Sequence, residues 1–315
     1  MKDTVSVSED ESNLLVLIID TNPFVWAKAA ASPGGLSFDQ ALSQILVFIN
    51  AHLALKHDNR LAVIASHVGV SKFLYPITEA NTHLSEEMDS TNDSNMYQTF
   101  RVVNQHVTAG AINLLKNVDT QITTLDQSNS MDAGALSMAM CYINRLLRAD
   151  DGNHIKPRIL VITLSSDSPL QYVAIMNCIF SAQKASIPID VCKIFGDETV
   201  FLQQAAHITN GIYLKLEKPK GFLQYLMLTF LPDRYLRTTL CLPGQDQVDF
   251  RAACFCHKKI VDIGYVCSVC LSIFCEIMPQ CSTCRTSFGQ SSLMPTGGLG
   301  IVNGVQPYSI TPYTI

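Results

Sequence analysis

Seven of this chain's eleven cysteines lie between residues 254 and 284, and four of them form two CxxC pairs, Cys267-Ser-Val-Cys270 and Cys281-Ser-Thr-Cys284, ten residues apart. Each pair turns two sulfurs to one side, and the separation lets a single tetrahedral ion hold both. Zinc is the expected ion, because four thiolates at about 2.3 Å complete its closed structural shell. A closed shell keeps no open position for water, so the expected role is to fold a small module and not to catalyse. Binding of this kind is worth about 10–16 kcal/mol and is itself the folding energy of such modules.

A disulfide framework would need an oxidising compartment. The opening MKDTVSVSEDESN is acidic and polar, without the basic start and apolar core of a secretory signal. No apolar run approaches the roughly 18 residues of a membrane span. Reduced, metal-bound cysteines are therefore the expectation. Cys141, Cys178, Cys192 and Cys241 stand alone in apolar surroundings and read as small buried hydrophobes.

The elements that must position this chemistry come from a chain of 315 residues, 48% hydrophobic and 16% charged, enough for one large domain and one small one. Net charge is −5. Between 250 and 290 only Arg251, Lys258, Lys259 and Arg285 oppose Asp262 and Glu276. That is too weak a basic footprint for phosphate neutralisation, so strong direct nucleic-acid binding is not expected.

The first 230 residues alternate between apolar runs and amphipathic stretches. Leu14 to Ile19 is an unbroken apolar run ending in Asp20, as in a parallel strand covered on both faces. A loop with Pro33, Gly34 and Gly35 leads to Ser37, a helix cap before Ala41, Leu42, Ile45, Leu46, Ile49 and Leu53 at helical spacing. Strands are expected at 61–66 and 70–75, joined tightly around Gly69, and surface loops at 79–95 and 120–130. Helices are expected at 96–117 and 132–148, a strand at 158–164, a helix at 169–185 and a strand at 187–194. Asp197 should cap a helix over 198–207 that Gly211 ends, followed by a strand at 212–216 and a helix at 220–230. Repeated βα units give an α/β fold, a mostly parallel sheet with helices on both faces, whose ligands sit at the carboxyl ends of the strands.

That edge holds Asp20-Thr-Asn22-Pro-Phe24. LLVLIIDTNPF, SNSMDAGALSMAM and RILVITLSSDS together resemble a von Willebrand factor A domain. The family's first loop reads DxSxS, a later loop supplies a threonine and the fourth strand ends in an aspartate, and together they hold Mg²⁺ through oxygens. By that resemblance Asp20 stands at the first ligand, Asn22 at the first serine, Phe24 at the second and Ser130 at the threonine. Leu164 falls where the aspartate belongs, with Asp167 three residues on. Phenyl and isobutyl groups offer no ligand to an octahedral oxygen site, so no Mg²⁺ is expected. Asp20 and Asn22 are instead expected to tie down their loop through backbone hydrogen bonds.

Residues 12–288 as a whole, most specifically RAACFCH through IGYVCSVCLSIFC, resemble the smaller von Willebrand A subunits of the transcription and DNA-repair factor TFIIH. The resemblance implies a nuclear, non-enzymatic scaffold in the TFIIH core. It implies binding to the larger von Willebrand A subunit, which bears a RING, in transcription initiation by RNA polymerase II and in nucleotide excision repair. In a RING-like cross-brace Cys254, Cys256, His257 and Cys275 would be the remains of a second zinc site; the alternative is that Cys254, Cys256 and Cys275 simply pack in the small core.

The expected organisation is an A-type domain at 12–232, a linker at 233–249, a C4-type zinc module at 250–290 and a flexible tail at 291–315. Two rival classes are weighed against the scaffold. An enzyme is disfavoured because the chain has no GxxxxGK[ST] loop, no GxGxxG after the first strand and no GxSxG elbow. A zinc-dependent nucleic-acid reader or ubiquitin ligase is disfavoured by the charge balance and by the incomplete cross-brace.

Overall fold

A computed structural model describes residues 12–76, 98–116, 130–149, 155–243, 248, 251, 254–257, 261–270, 272–288 and 310–314. The chain divides into two compact units at Val248 and Asp249.

The first unit is built on six strands in the order β3-β2-β1-β4-β5-β6. These are β1 (Ser12–Asp20), β2 (Arg60–His67), β3 (Val70–Tyr75), β4 (Ile155–Thr163), β5 (Ile189–Lys193) and β6 (Tyr213–Lys215). Every neighbouring pair is parallel except β2 with β3, which closes through a tight turn at Gly69, φ +73°. A positive φ of that size favours glycine. Residues 14–19 of β1 are all at most 1% exposed, because β1 is central and covered on both faces. This is the A-type fold the sequence implied.

The helices are α1 (Pro23–Ala31), α2 (Phe38–Leu55), α3 (Gln98–Lys116), α4 (Asp132–Ala149), α5 (Tyr172–Lys184), α6 (Val200–Ile208), α7 (Phe222–Tyr225) and α8 (Leu236–Thr239). Ser37 opens α2 with a reciprocal capping box to Gln40. Ala41, Leu42, Ile45, Phe48, Ile49 and His52 of that helix are buried, the 3.6-residue stripe its sequence displays.

Several expectations need correction. The stretch after Asn22 is not loop but the helix α1, since the Asn22 side chain accepts from the Phe24 amide and Pro23 supplies a helical φ at the first position. Asp197 does not cap α6; Thr199 occupies the cap position, and the Phe201 amide is taken by Asp167, 3.1 Å away. Asn210, at φ +56°, turns the chain out of α6. Gly211 is required for a different reason, because a Cβ there would lie 1.9 Å from the carbonyl oxygen of Ile189. The expected helix at 220–230 becomes α7 followed by a π-turn at Leu226–Phe230. Cys141 and Cys241 are exposed, whereas Cys192 is buried and Cys178 half-buried.

The expected linker at 233–249 is in part structural. Its residues 236–239 form α8, and Arg237 reaches Asp190 on β5. In the second unit β7 (Ile263–Cys267) pairs antiparallel with β8 (Ile273–Phe274) on one side. On the other it pairs with β9 (Ile310–Thr314), so the end of the expected flexible tail is a strand. The expected loops at 79–95 and 120–129 lie outside the described residues.

Candidate metal centre

The second unit brings together the two groups of ligands that its sequence suggests. Sγ atoms of Cys267, Cys270, Cys281 and Cys284 all lie within 4.8 Å of one another. The Cys267–Cys284 and Cys270–Cys281 separations are 3.7 and 3.5 Å. Four sulfurs at about 2.3 Å from a tetrahedral centre are about 3.8 Å apart, so this set fits zinc with little adjustment.

Local backbone makes the arrangement. Cys267 ends β7 and Cys281 begins the second turn, where the Arg285 amide donates to Cys281 O at 2.9 Å. Arg285 itself sits at φ +61°, in the left-handed region. The Ser272 hydroxyl lies 3.1 Å from Cys270 Sγ, and the Thr286 hydroxyl 3.0 Å from Cys284 Sγ. The bond from Thr286 lowers the Cys284 thiol to about 6, since a donor favours the thiolate. Phe274, 1% exposed, packs among these sulfurs.

Cys254, Cys256, His257 and Cys275 form the other group, again within 4.8 Å. Cys256 and Cys275 sulfurs are 3.3 Å apart, and His257 Nδ1 is 3.0 Å from Cys275 Sγ. These spans are a few tenths of an ångström shorter than the roughly 3.6–3.8 Å edges of a tetrahedral site, so an ion would open them slightly. The groups interleave along the chain, with Cys275 between the two CxxC pairs. A cross-brace requires that order.

The first unit's crevice, at the carboxyl ends of β1 and β4, holds the residues of the A-type loop. Asp20 is 1% exposed and its carboxylate is surrounded by donors. Oδ1 accepts from the Asn22 amide at 3.0 Å and from the Ser130 hydroxyl at 2.8 Å. Oδ2 accepts from the amides of Leu164 and Ser165 at 3.1 and 2.8 Å, and from the Thr163 hydroxyl at 3.4 Å. Ser165 extends the network, with its hydroxyl 2.9 Å from Ser130 Oγ and 3.5 Å from Asn22 Nδ2. Phe24 is 38% exposed, and Leu164 points into the core, so neither side chain offers an oxygen. The Asp20 carboxylate is thus held by donors of the protein itself.

Two features here escape sequence inspection. Lys193, at the end of β5, is 1% exposed and donates to the carbonyls of Leu164 and Ser165 at 2.8 and 2.5 Å. Burial lowers its pKa to about 8 while Asp20, Asp167 and Asp132 pull it back up, so it keeps its proton at neutral pH. Asp132 accepts from the Ser66 hydroxyl at 2.7 Å, and desolvation, then the Asp20 charge, push its carboxyl up to about 7. The only local signal was the hydroxyl-rich Ser165-Ser-Asp-Ser168 after β4. Among the described histidines, His52 bonds to Arg60 O and His67 to Thr21 O, and burial lowers the pKa of both.

The family model described as "Transcription factor Tfb4" matches residues 12–285. A relative from Schizosaccharomyces pombe, "General transcription and DNA repair factor IIH subunit tfb4", is 47% identical over 281 residues, covering 89% of this chain and 90% of that protein. The Arabidopsis thaliana protein "General transcription and DNA repair factor IIH subunit TFB4" is 41% identical over 295 residues, covering 90% of this chain and 91% of its own. Among solved structures, "Crystal Structure of the TFIIH p34 N-terminal Domain" is similar with a TM-score of 0.58 and 34% identity, covering 70% of this chain and 98% of that one.

Proposed function

The chain belongs to the transcription factor Tfb4 family, and from that premise we propose that it is a non-enzymatic structural subunit of the TFIIH core, acting in the nucleus. It serves transcription initiation by RNA polymerase II and nucleotide excision repair by binding the larger von Willebrand A subunit that bears a RING. The observation that carries this reading is the Asp20 crevice: its carboxylate is engaged by five donors of the protein itself, leaving surfaces, and not a reactive site, to do the work. A family match running through both units supports the same conclusion.

Zinc belongs to this proposal. Cys267, Cys270, Cys281 and Cys284 hold one ion in a closed four-thiolate shell, and Cys254, Cys256 and Cys275 with His257 hold a second. Both ions supply folding energy to a unit whose described core is small.

Co-expression of the tagged chain with the larger subunit tests the scaffold. A stable complex is expected whose affinity changes little between low and moderate salt, because a chain of charge −5 has no strong basic stripe to engage a polyanion. Cleavage within the expected linker, near residues 243 and 244, should weaken the complex beyond the loss of either contact, since tethered modules gain effective concentration. Submicromolar binding of DNA by the isolated chain with a steep salt slope, and no affinity for the TFIIH core, would overturn the proposal.

A further inference from the structure

A buried carboxylate needs compensation: Asp20 is 1% exposed, and the half-buried Asp132 and Asp167 add negative charge that acts on Lys193 beside it. Protein hydrogen bonds alone satisfy oxygen lone pairs but leave net negative charge in a low-dielectric site. Among the described residues Lys193 is the one buried lysine, 1% exposed, and it ends at this crevice.

Its connection to Asp20 is specific. The peptide unit between Leu164 and Ser165 receives the Lys193 ammonium at its carbonyl oxygen, 2.8 Å away, and gives its N–H to Asp20 Oδ2, also at 2.8 Å. A trans amide points these two groups in opposite directions. One peptide dipole is thus held between a cation and an anion, each oriented to strengthen it. The ammonium binds Ser165 O as well, and Asp20 binds the Leu164 amide, so the turn after β4 is clamped from both sides.

We propose that Lys193 is the built-in cation of this crevice: through the Leu164–Ser165 peptide its ammonium supplies the fixed positive charge that Asp20 requires, making this unit independent of any divalent ion. The role is one of positioning, since the ammonium is buried and its hydrogen bonds go to two backbone carbonyls. The inference stands apart from the scaffold proposal and from the zinc sites, which lie in the other unit.

Trp26 gives a direct readout. It is the chain's only tryptophan, 4% exposed, and its Nε1–H donates to Asp20 O at 2.7 Å. Thermal unfolding followed by Trp26 fluorescence should show the same midpoint with and without added Mg²⁺ or Mn²⁺. Lys193→Met should lower that midpoint by on the order of 10 °C, as expected when one partner of a buried charge pair is removed. Lys193→Gln keeps hydrogen-bond donors for the two carbonyls but not the charge, and should lose nearly as much. Adding Asp20→Asn should then recover a substantial part of that loss. If Lys193→Gln behaves as the parent chain, or Asp20→Asn only adds to its loss, Lys193 merely satisfies two carbonyls and the proposal fails. Should these variants not fold, the parent chain decides: ¹⁵N-lysine NMR must show a slowly exchanging ammonium at neutral pH, and a neutral amine, or a saturable Mg²⁺-induced rise in midpoint, overturns the inference.

Discussion

Arg237 and Asp190 form a two-point ion pair across 47 residues, Nη1 to Oδ1 at 2.9 Å and Nη2 to Oδ2 at 2.6 Å. Asp190 is fully buried within β5, and it also accepts from the Ile212 amide at 2.9 Å. The guanidinium fork matches both carboxylate oxygens and so anchors α8 to the sheet. A segment with the composition of a linker thereby becomes part of the first unit.

Arg237→Ala should therefore destabilise the first unit by about 3–5 kcal/mol, because it strands a buried carboxylate. Urea unfolding followed at Trp26 measures this. Asp190→Asn in the same chain should give back part of the loss, and strictly additive effects would show the two side chains to be uncoupled.

Cys267→Ser or Cys281→Ser should lose about one zinc per chain and unfold residues 254–288, because a hydroxyl replaces a thiolate poorly in a closed shell. The Trp26 transition should remain. Unchanged zinc content in a metal assay would remove the four-thiolate assignment.

The second group gives a different signature. With ¹¹³Cd in place of zinc, two resonances are expected, one for four thiolates and one shifted as nitrogen replaces a sulfur. Cys275→Ser should abolish the latter alone. A single resonance unaffected by that change would mean that Cys254, Cys256, His257 and Cys275 hold no ion.

Asp132 predicts a pH dependence. Its folded pKa, about 7, lies above its ordinary 3.8, through desolvation and then the Asp20 charge, with Ser66 and Lys193 opposing and Asp167 adding to the rise. A raised carboxyl pKa stabilises the fold while protonated, and that contribution is lost as pH rises from about 4 to about 7. Unfolding midpoints of the parent should accordingly fall between pH 5.5 and 7.5 more than those of Asp132→Asn. Parallel profiles for the two chains would contradict this.

Asp20→Ala removes the acceptor for five donors and should cost about 3–5 kcal/mol in urea unfolding. The loss should be the same with and without Mg²⁺. A defect that appears only when magnesium is present would return the crevice to the class of ion sites.

What the sequence determined by itself was local or periodic. The apolar run of β1, the stripe of α2 and the turn at Gly69 each follow from residues a few positions apart, so strand, helix and hairpin were legible. The CxxC pairs were legible for the same reason, since two residues between cysteines set both sulfurs on one turn. Asn22 shows the limit: its type was read as a loop anchor, but a side-chain cap followed by proline starts a helix there. Tertiary structure decided what depends on distant partners. Thr163 and Ser165 reach Asp20 across 143 and 145 residues, and Lys193 reaches Ser165 across 28. No spacing along the chain encodes those meetings. They exist because parallel strands β1, β4 and β5 end side by side, which places a buried carboxylate, a peptide and a buried ammonium in one line.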